Sequence, residues 1–299
     1  MEKTARDFAQ WDTNESTRKL HDDFMGWSSA EMKASFGSRL EFGTAGLRGP
    51  MGPGSSRMNE VTVMQSAQGL VSHMLVSVAD AAVKGLVIGW DHRAQQGLSS
   101  RRFALITAAV CVARGVKCHL FSQLVATPMV PFTILHLGAA AGVMVTASHN
   151  PKEDNGYKVY WENGSQIISP VDKAIAHAIS ANNAPWDDYS ASLDGGEGEA
   201  ALLAHPLVSD PSNSSLPAYL QGAASALSLG NSRKTSPAHH KVTYTAMHGV
   251  GKRYITAMFE AFKLPPMNLT EQQVEPDPNF PTVAVSVCVC VFFFFSTPS

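Results

Sequence analysis

The chain has 299 residues, of which 44% are hydrophobic and 16% charged, and its formal net charge is −2. That length accommodates one large or two ordinary domains with real apolar cores. The near-neutral balance leaves no electrostatic footprint for DNA, RNA or an anionic membrane, so a small polar ligand is the expected partner and no specific protein partner is predicted.

Residues 1–36 read as an N-terminal helical extension. The opening Met1-Glu2-Lys3-Thr4-Ala5-Arg6-Asp7 lacks the apolar stretch of a signal peptide. Ser28 followed by Glu31 predicts a capping box for a short helix ending near Gly37. From there to residue 181 the pattern is that of one α/β domain. Val63, Met64, Ala67, Leu70, Val71, Met74, Leu75 and Val78 recur at helical spacing and predict an amphipathic helix. Gly85–Trp90 reads as a strand; Ser99 or Ser100 caps the next helix, which Gly115 closes after Arg114. Strand Val116–Phe121, helix Pro128–Leu137 with Gly138 as its stop, and strand Ala141–Thr146 continue the alternation. This order predicts a largely parallel sheet covered by helices. A pair of short strands, Tyr157–Trp161 and Gln166–Ile168, follows, and Ser169-Pro170 supplies an N-cap and first-turn proline for a helix through Ile179.

Residues 182–240, rich in Ser, Pro, Gly, Ala and Asn, read as a connecting segment with one helix near Leu216 to Leu229. Within it Gly196-Glu197-Gly198-Glu199-Ala200 reads as a solvated loop. A partial second α/β unit at 241–282 opens with strand Lys241–Thr245 and helix Arg253–Phe262. Residues 283–299 form an aberrant apolar tail, shorter than the roughly 20 residues of a membrane span and aggregation-prone in its uncharged, β-rich composition. We read the tail as read-through of non-coding sequence or a mistaken gene model; an intact transcript crossing the junction would exclude the latter. Of the four cysteines, Cys111 and Cys118 lie in apolar runs as buried thiols, while Cys288 and Cys290 belong to the tail. With no zinc spacing among them, a reducing cytoplasm is the expected location.

Two segments carry chemistry. The apolar strand Ala141–Thr146 aims at a loop that Asn150-Pro151 turns away, because proline donates nothing to a ladder and restricts the residue before it. Ser148 then sits at a strand's carboxyl end, where open α/β sheets bind ligands. In isolation Ser148-His149-Asn150-Pro151 reads first as an ordinary turn. The second segment, Leu40 to Gly49, sets Gly43, Gly46 and Gly49 around Thr44 and Arg48, a composition suited to backbone N–H groups facing an anion. Arg48 adds a permanently charged fork for phosphate oxygens.

Together Thr44-Ala45-Gly46-Leu47-Arg48-Gly49 and Thr146-Ala147-Ser148-His149-Asn150-Pro151 resemble the T-x-G-x-R-G and T-A-S-H-N-P loops of the α-D-phosphohexomutase superfamily. The flanking Arg57-Met58-Asn59, Trp90-Asp91-His92-Arg93, Asn155-Gly156-Tyr157-Lys158-Val159-Tyr160 and Thr245-Ala246-Met247-His248-Gly249-Val250-Gly251 look like its phosphopentomutase branch, also called the second phosphoglucomutase. The resemblance implies a complete N-terminal α/β/α domain with a mixed, largely parallel sheet, plus the opening of a second α/β/α domain. It also implies intramolecular phosphoryl transfer between sugar 1-phosphates and 5- or 6-phosphates, through a phosphoserine and a sugar bisphosphate.

Residue by residue, the resemblance makes Ser148 the phosphoryl carrier and a magnesium ligand, Lys158 the group handling the sugar hydroxyl proton, and His149 a hydrogen-bonding or proton-exchanging neighbour; the alternatives are a solvated strand lysine at 158 and a purely structural turn histidine at 149. Thr44, Gly46 and Arg48 become the phosphate and substrate loop, with Asp91 and Arg93 a structural ion pair beneath. Mg2+ and a sugar bisphosphate primer are the implied cofactors, and a small phosphorylated sugar the implied partner. The superfamily's D-x-D-x-D-R metal loop, G-E-x-S-G sugar loop and R-x-S-G-T phosphate loop are absent from the sequence. Asp22-Asp23, Asp187-Asp188 and His239-His240 read as solvated pairs rather than substitutes. The expectation is a truncated chain with little or no turnover; the alternative is a non-catalytic truncated or splice product that only binds a ligand or partner. A serine hydrolase is disfavoured, because no G-x-S-x-G surrounds Ser148.

Overall fold

The computed structural model describes residues 2–283 apart from 13, 23–25, 45, 188, 190–192, 194–195 and 228–240. The apolar tail from residue 284, with Cys288 and Cys290, lies outside the described residues, as do His239-His240 and one member of each aspartate pair, Asp23 and Asp188.

Three short helices lead the chain: α1 (Glu2–Trp11), α2 (Glu15–Asp22) and α3 (Ser29–Phe36). The last begins with the anticipated capping box between Ser28 and Glu31. Next come β1 (Leu47–Pro50), α4 (Glu60–Ser77), α5 (Ala81–Lys84), β2 (Leu86–Trp90) and a small hairpin of β3 (Ala94–Gln95) and β4 (Leu98–Ser99). They are followed by α6 (Ser100–Ala113), β5 (Cys118–Leu120), α7 (Met129–Leu137), β6 (Ala141–Val145), β7 (Asp154–Trp161) and α8 (Val171–Ala181). The remainder comprises α9 (Glu197–Leu203), β8 (Val208–Ser209), α10 (Ser212–Leu227), β9 (Thr243–Tyr244), α11 (Gly251–Ala261) and β10 (Asn268–Leu269).

The main sheet runs β1-β7-β6-β2-β5-β8. Strands β6, β2, β5 and β8 are parallel, as helical crossovers require, whereas β7 returns antiparallel to β6 and β1 antiparallel to β7. In the β2–β6 register Trp90 lies opposite Val145, so the loops after both strands leave from one end of the sheet. The amide of Asp91 donates to the Val145 carbonyl at 3.1 Å and holds those exits together.

Strand alternation divides the core in two. Leu86, Ile88, Val143, Val145, Tyr157 and Val159 face α4 and α6, while Val87, Met144 and Tyr160 face the α7 residues Met129, Val130 and Ile134. Helix α4 departs from the expected amphipathic pattern: every residue from Glu60 to Val71 is buried, because α6 and α8 both pack on it. Its approach to α8 is so close that a Cβ on Gly69 would lie 2.4 Å from Ile179 Cγ1. The buried amides keep their partners: Gln65 Nε2 donates to the Asn183 carbonyl, and Gln68 Nε2 to those of Asn182 and Ala184, all within 2.9 Å.

Several local expectations change. Strand β1 arises where a loop was expected, since Leu47 buries against the core and Arg48 points outward. Gln166 makes one isolated bridge to Tyr160 instead of opening a second strand. Ser169 does not cap α8; Pro170 occupies the N-cap position without a side-chain bond. The Gly196–Ala200 stretch is helical from Glu197 onward, with Glu199 paired to Arg101, so i to i−4 backbone bonding and one ion pair override its loop-like composition. The connecting segment also supplies β8 to the edge of the main sheet, and α10 starts at Ser212 with Pro217 inside it. No helix among the described residues is long and apolar enough to cross a membrane.

Candidate functional site

The carboxyl end of β6 sets the site. Thr146 is buried, and its Oγ1 accepts the amide of Ser148 at 2.9 Å, a short side-chain turn that stops the ladder. Ser148 follows with φ of 57°, in the left-handed region that non-glycine residues seldom occupy, and its side chain is exposed. His149 is exposed beside it. The turn closes through the Asn150 amide on the Ala147 carbonyl at 3.1 Å, and β7 begins four residues later at Asp154.

Arg93 holds this loop from beneath. Its guanidinium is buried, with Nη2 donating to the carbonyls of Ser148 and Asn150 at 3.0 and 2.8 Å, and Nη1 to those of Pro151 and Asp154 at 2.6 and 2.8 Å. The planar fork reads four carbonyls of one loop, which a lysine ammonium cannot do. Asp91 approaches Nε at 3.7 Å and accepts the Arg93 amide and the Ser100 hydroxyl at 3.0 and 2.6 Å. Burial lowers the pKa of Arg93, and the charges of Asp91 and Asp154 oppose that. Ser100 in turn accepts from Asn155 Nδ2 at 3.0 Å, carrying the network to the start of β7.

The glycine-rich loop enters from the other side. Gly43 and Gly46 exchange backbone bonds of 3.0 and 2.9 Å, forming a tight turn with exposed Thr44 at its tip. Gly46 has φ of 95°, and a Cβ there would sit 1.9 Å from the Tyr157 carbonyl oxygen, so this position requires glycine on both counts. β1 pairs Arg48 with Gly156 while Leu47 and Tyr157 bury together, so strand alternation puts Arg48, Gly156 and Lys158 on one face. Arg48 Nη1 donates to Asn150 Oδ1 at 3.0 Å, and Asn150 Nδ2 donates to Asp154 Oδ2 at 2.8 Å, tying the first loop to the second.

Lys158 is half-buried on β7, across from Met144. Burial lowers the pKa of its ammonium, nearby Arg48 adds to that, and Asp91 opposes it. The face of β1 and β7 beside the Ser148 loop therefore carries two cationic side chains, Arg48 and Lys158, that can meet an anion. It does not suit magnesium, which takes carboxylate and other oxygen ligands. Among the described residues no group of three or more His, Cys, Asp or Glu side chains could hold a metal ion. Ser148 offers one oxygen, and the Asn150 side chain in the same loop is already engaged by Arg48 and Asp154.

The two quoted loops meet at one end of the sheet, with Lys158 on the adjoining strand. Sequence reasoning anticipated the Asp91 and Arg93 ion pair but missed the Arg93 grip on the serine loop and the bridging role of Asn150. The signals were in plain sight, an arginine three residues beyond a strand and the asparagine of the turn, but their partners are fixed only by tertiary structure.

Sequence models of the family match two stretches: "Phosphoglucomutase/phosphomannomutase, alpha/beta/alpha domain I" over residues 39–185, and domain II of the same family over 217–286. Mouse phosphopentomutase is 41% identical over 289 residues, covering 95% of this chain and 45% of its own length. Human glucose 1,6-bisphosphate synthase is 38% identical over 279 residues, covering 92% of this chain and 43% of its own. Among solved structures, a phosphoglucomutase/phosphomannomutase family protein from Burkholderia thailandensis superposes with a TM-score of 0.54 at 20% identity, over 82% of this chain and 46% of its own, a likeness of fold. The chain thus spans less than half the length of these relatives. With both matched domains in sequence order, and together making up most of its length, the chain belongs to the phosphoglucomutase/phosphomannomutase family within the α-D-phosphohexomutase superfamily.

Proposed function

We propose that the chain carries the phosphoserine half of a sugar phosphomutase, with Ser148 as the residue that takes up and gives back a phosphoryl group. The observation that carries this reading is the placement of an exposed, left-handed Ser148 on a loop gripped by Arg93 and tied to Arg48. Phosphoryl transfer is catalysed chiefly by positioning and by positive charge at the transferring oxygens, which this arrangement supplies.

In the proposed cycle a sugar hydroxyl attacks phosphoserine 148: the bond from Ser148 Oγ to phosphorus breaks, a sugar oxygen to phosphorus bond forms, and the hydroxyl proton is relayed through Lys158 to Ser148 Oγ. The bisphosphate then presents its other phosphoryl group: Ser148 Oγ attacks that phosphorus, the bond from it to its sugar oxygen breaks, and the serine proton is relayed back through Lys158 to the leaving sugar oxygen. Arg48 stabilises the charge on the transferring group, with Thr44 and Gly46 shaping the loop, and His149 supplies a hydrogen bond at the rim. The substrate is a small phosphorylated sugar, a pentose or hexose 1-phosphate paired with its 5- or 6-phosphate; the named relatives, a phosphopentomutase and a glucose 1,6-bisphosphate synthase, support that class. Two buried free thiols, Cys111 and Cys118, fit a reducing, cytoplasmic setting.

Because the sequence contains none of the D-x-D-x-D-R, G-E-x-S-G and R-x-S-G-T loops, we expect it to accept phosphate without sustained turnover. The test is incubation with a sugar 1,6-bisphosphate in magnesium buffer, followed by mass spectrometry of the peptide spanning Ser148. Phosphate on Ser148 that is absent from Ser148→Ala supports the reading. A folded chain that stays unmodified overturns it, and multiple turnovers would overturn the expected inactivity.

A further inference from the structure

Phe280 belongs to the second matched stretch, yet it lies against the machinery of the first. Its ring centroid is 5.1 Å from that of His92, and the guanidinium carbon of Arg93 stands 5.4 Å from the ring centroid. Phe280 adopts φ of 49°, which a bulky side chain tolerates only where its surroundings hold it. Its segment is anchored within the second unit: the Asp277 amide donates to the His248 carbonyl at 3.1 Å, Asn279 to Asp277 Oδ1 at 2.8 Å, and Phe280 to the Asp277 carbonyl at 3.2 Å. The nitrogens of the same guanidinium hold the carbonyls of Ser148, Asn150, Pro151 and Asp154.

We infer that Phe280 is a positioning residue, through which the second domain fixes the Ser148 loop by capping Arg93. An arginine over an aromatic face keeps its donors free for in-plane acceptors while the ring excludes water from one side. Removing the ring admits water to Arg93, and water competes for its hydrogen bonds to the loop carbonyls. The order of the nucleophile's loop in the first domain thereby depends on a contact from the second. The inference rests on Ser148 being the phosphoryl carrier only for its functional meaning; the mechanical coupling stands apart from it.

Hydrogen exchange on the full chain tests it. Phe280→Ala should speed exchange of the Ser148, Asn150 and Asp154 amides roughly three- to thirtyfold, the range a cation–π contact of this kind is worth. It should leave the β2 amides of residues 86–90 unchanged, and Phe280→Tyr, which keeps the ring, should restore wild-type exchange. Unchanged loop exchange in Phe280→Ala, or a uniform rise that includes residues 86–90, overturns the inference. So does Phe280→Tyr behaving like Phe280→Ala. If wild-type Ser148 accepts no phosphate while Phe280→Ala still loosens the loop selectively, the coupling is upheld and the phosphoserine reading fails.

Discussion

Arg93 Nη2 donates to the carbonyl of Ser148 at 3.0 Å, so the residue proposed to carry phosphate is held by its backbone while its hydroxyl stays free. Four such bonds converge on one guanidinium, which makes Arg93 the keystone of the loop. Arg93→Lys keeps the charge but loses the fork, and with three donors for four carbonyls it leaves at least one of them without its donor. We expect a stability loss of about 2–4 kcal/mol in urea unfolding, together with faster exchange of the Asn150 amide. A loss below about 0.5 kcal/mol, the scale of an ordinary surface substitution, would contradict the keystone role.

Gly46 sits under the Tyr157 carbonyl with a positive φ. Gly46→Ala must move β1 or β7, and the expected cost is about 2–4 kcal/mol, combining left-handed strain with a backbone clash. Thermal unfolding measures it. Gly43→Ala, where an added Cβ meets nothing within 4 Å, is the matched control and should cost less.

Lys158 supplies a pH test with a definite sign. Its pKa in the folded chain lies below the ordinary lysine value of 10.5, chiefly through burial and next through Arg48. Between those two values the unfolded chain binds the proton and the folded chain does not, so this residue makes stability rise with pH across that window. NMR titration of the Lys158 side chain should give a midpoint below 10.5, and Arg48→Gln should raise it part of the way. A midpoint indifferent to Arg48→Gln would show that the two cations do not interact.

His92 tests the opposite end of the pH scale. Burial pushes its pKa below the ordinary 6.5, Asp91 and Asp277 oppose the shift, and Arg93 adds to it. From 6.5 down to the lowered value the unfolded chain takes up the proton first, so stability falls as pH drops through that window. His92→Gln should flatten this part of the curve, read as the pH dependence of the urea midpoint. An unchanged slope would mean His92 is as easily protonated folded as unfolded.

Much of the frame was legible in the sequence because it depends on local pattern. The β-branched run before Ser148, the capping box at Ser28 and the glycine stop at Gly138 are each fixed by a few neighbours, and the helices and strands they delimit appear in the structure. What escaped depends on distant partners. Leu47–Pro50 is too short and glycine-bearing to announce a strand until β7 pairs with it. Helix α4 buries its glutamines because segment 182–184 offers carbonyls that no helical periodicity reveals. At the site, the motifs named Ser148, Arg48 and Lys158 as candidates, but the hydrogen bonds that orient their loops belong to Arg93 and Asn150.

Strand β8 has a practical consequence for anyone cutting this protein apart. Neither family match includes residues 186–216, yet Val208 and Ser209 complete the main sheet, and the Leu207 carbonyl accepts the Cys118 amide at 2.7 Å. His119 Nδ1 meets the Ser209 hydroxyl at 2.9 Å at the same edge. A piece ending at residue 185 would strip that border and leave β5 as an open template for another chain. The smallest fragment with a finished first-domain sheet therefore extends beyond Ser209, into what looks on paper like a linker.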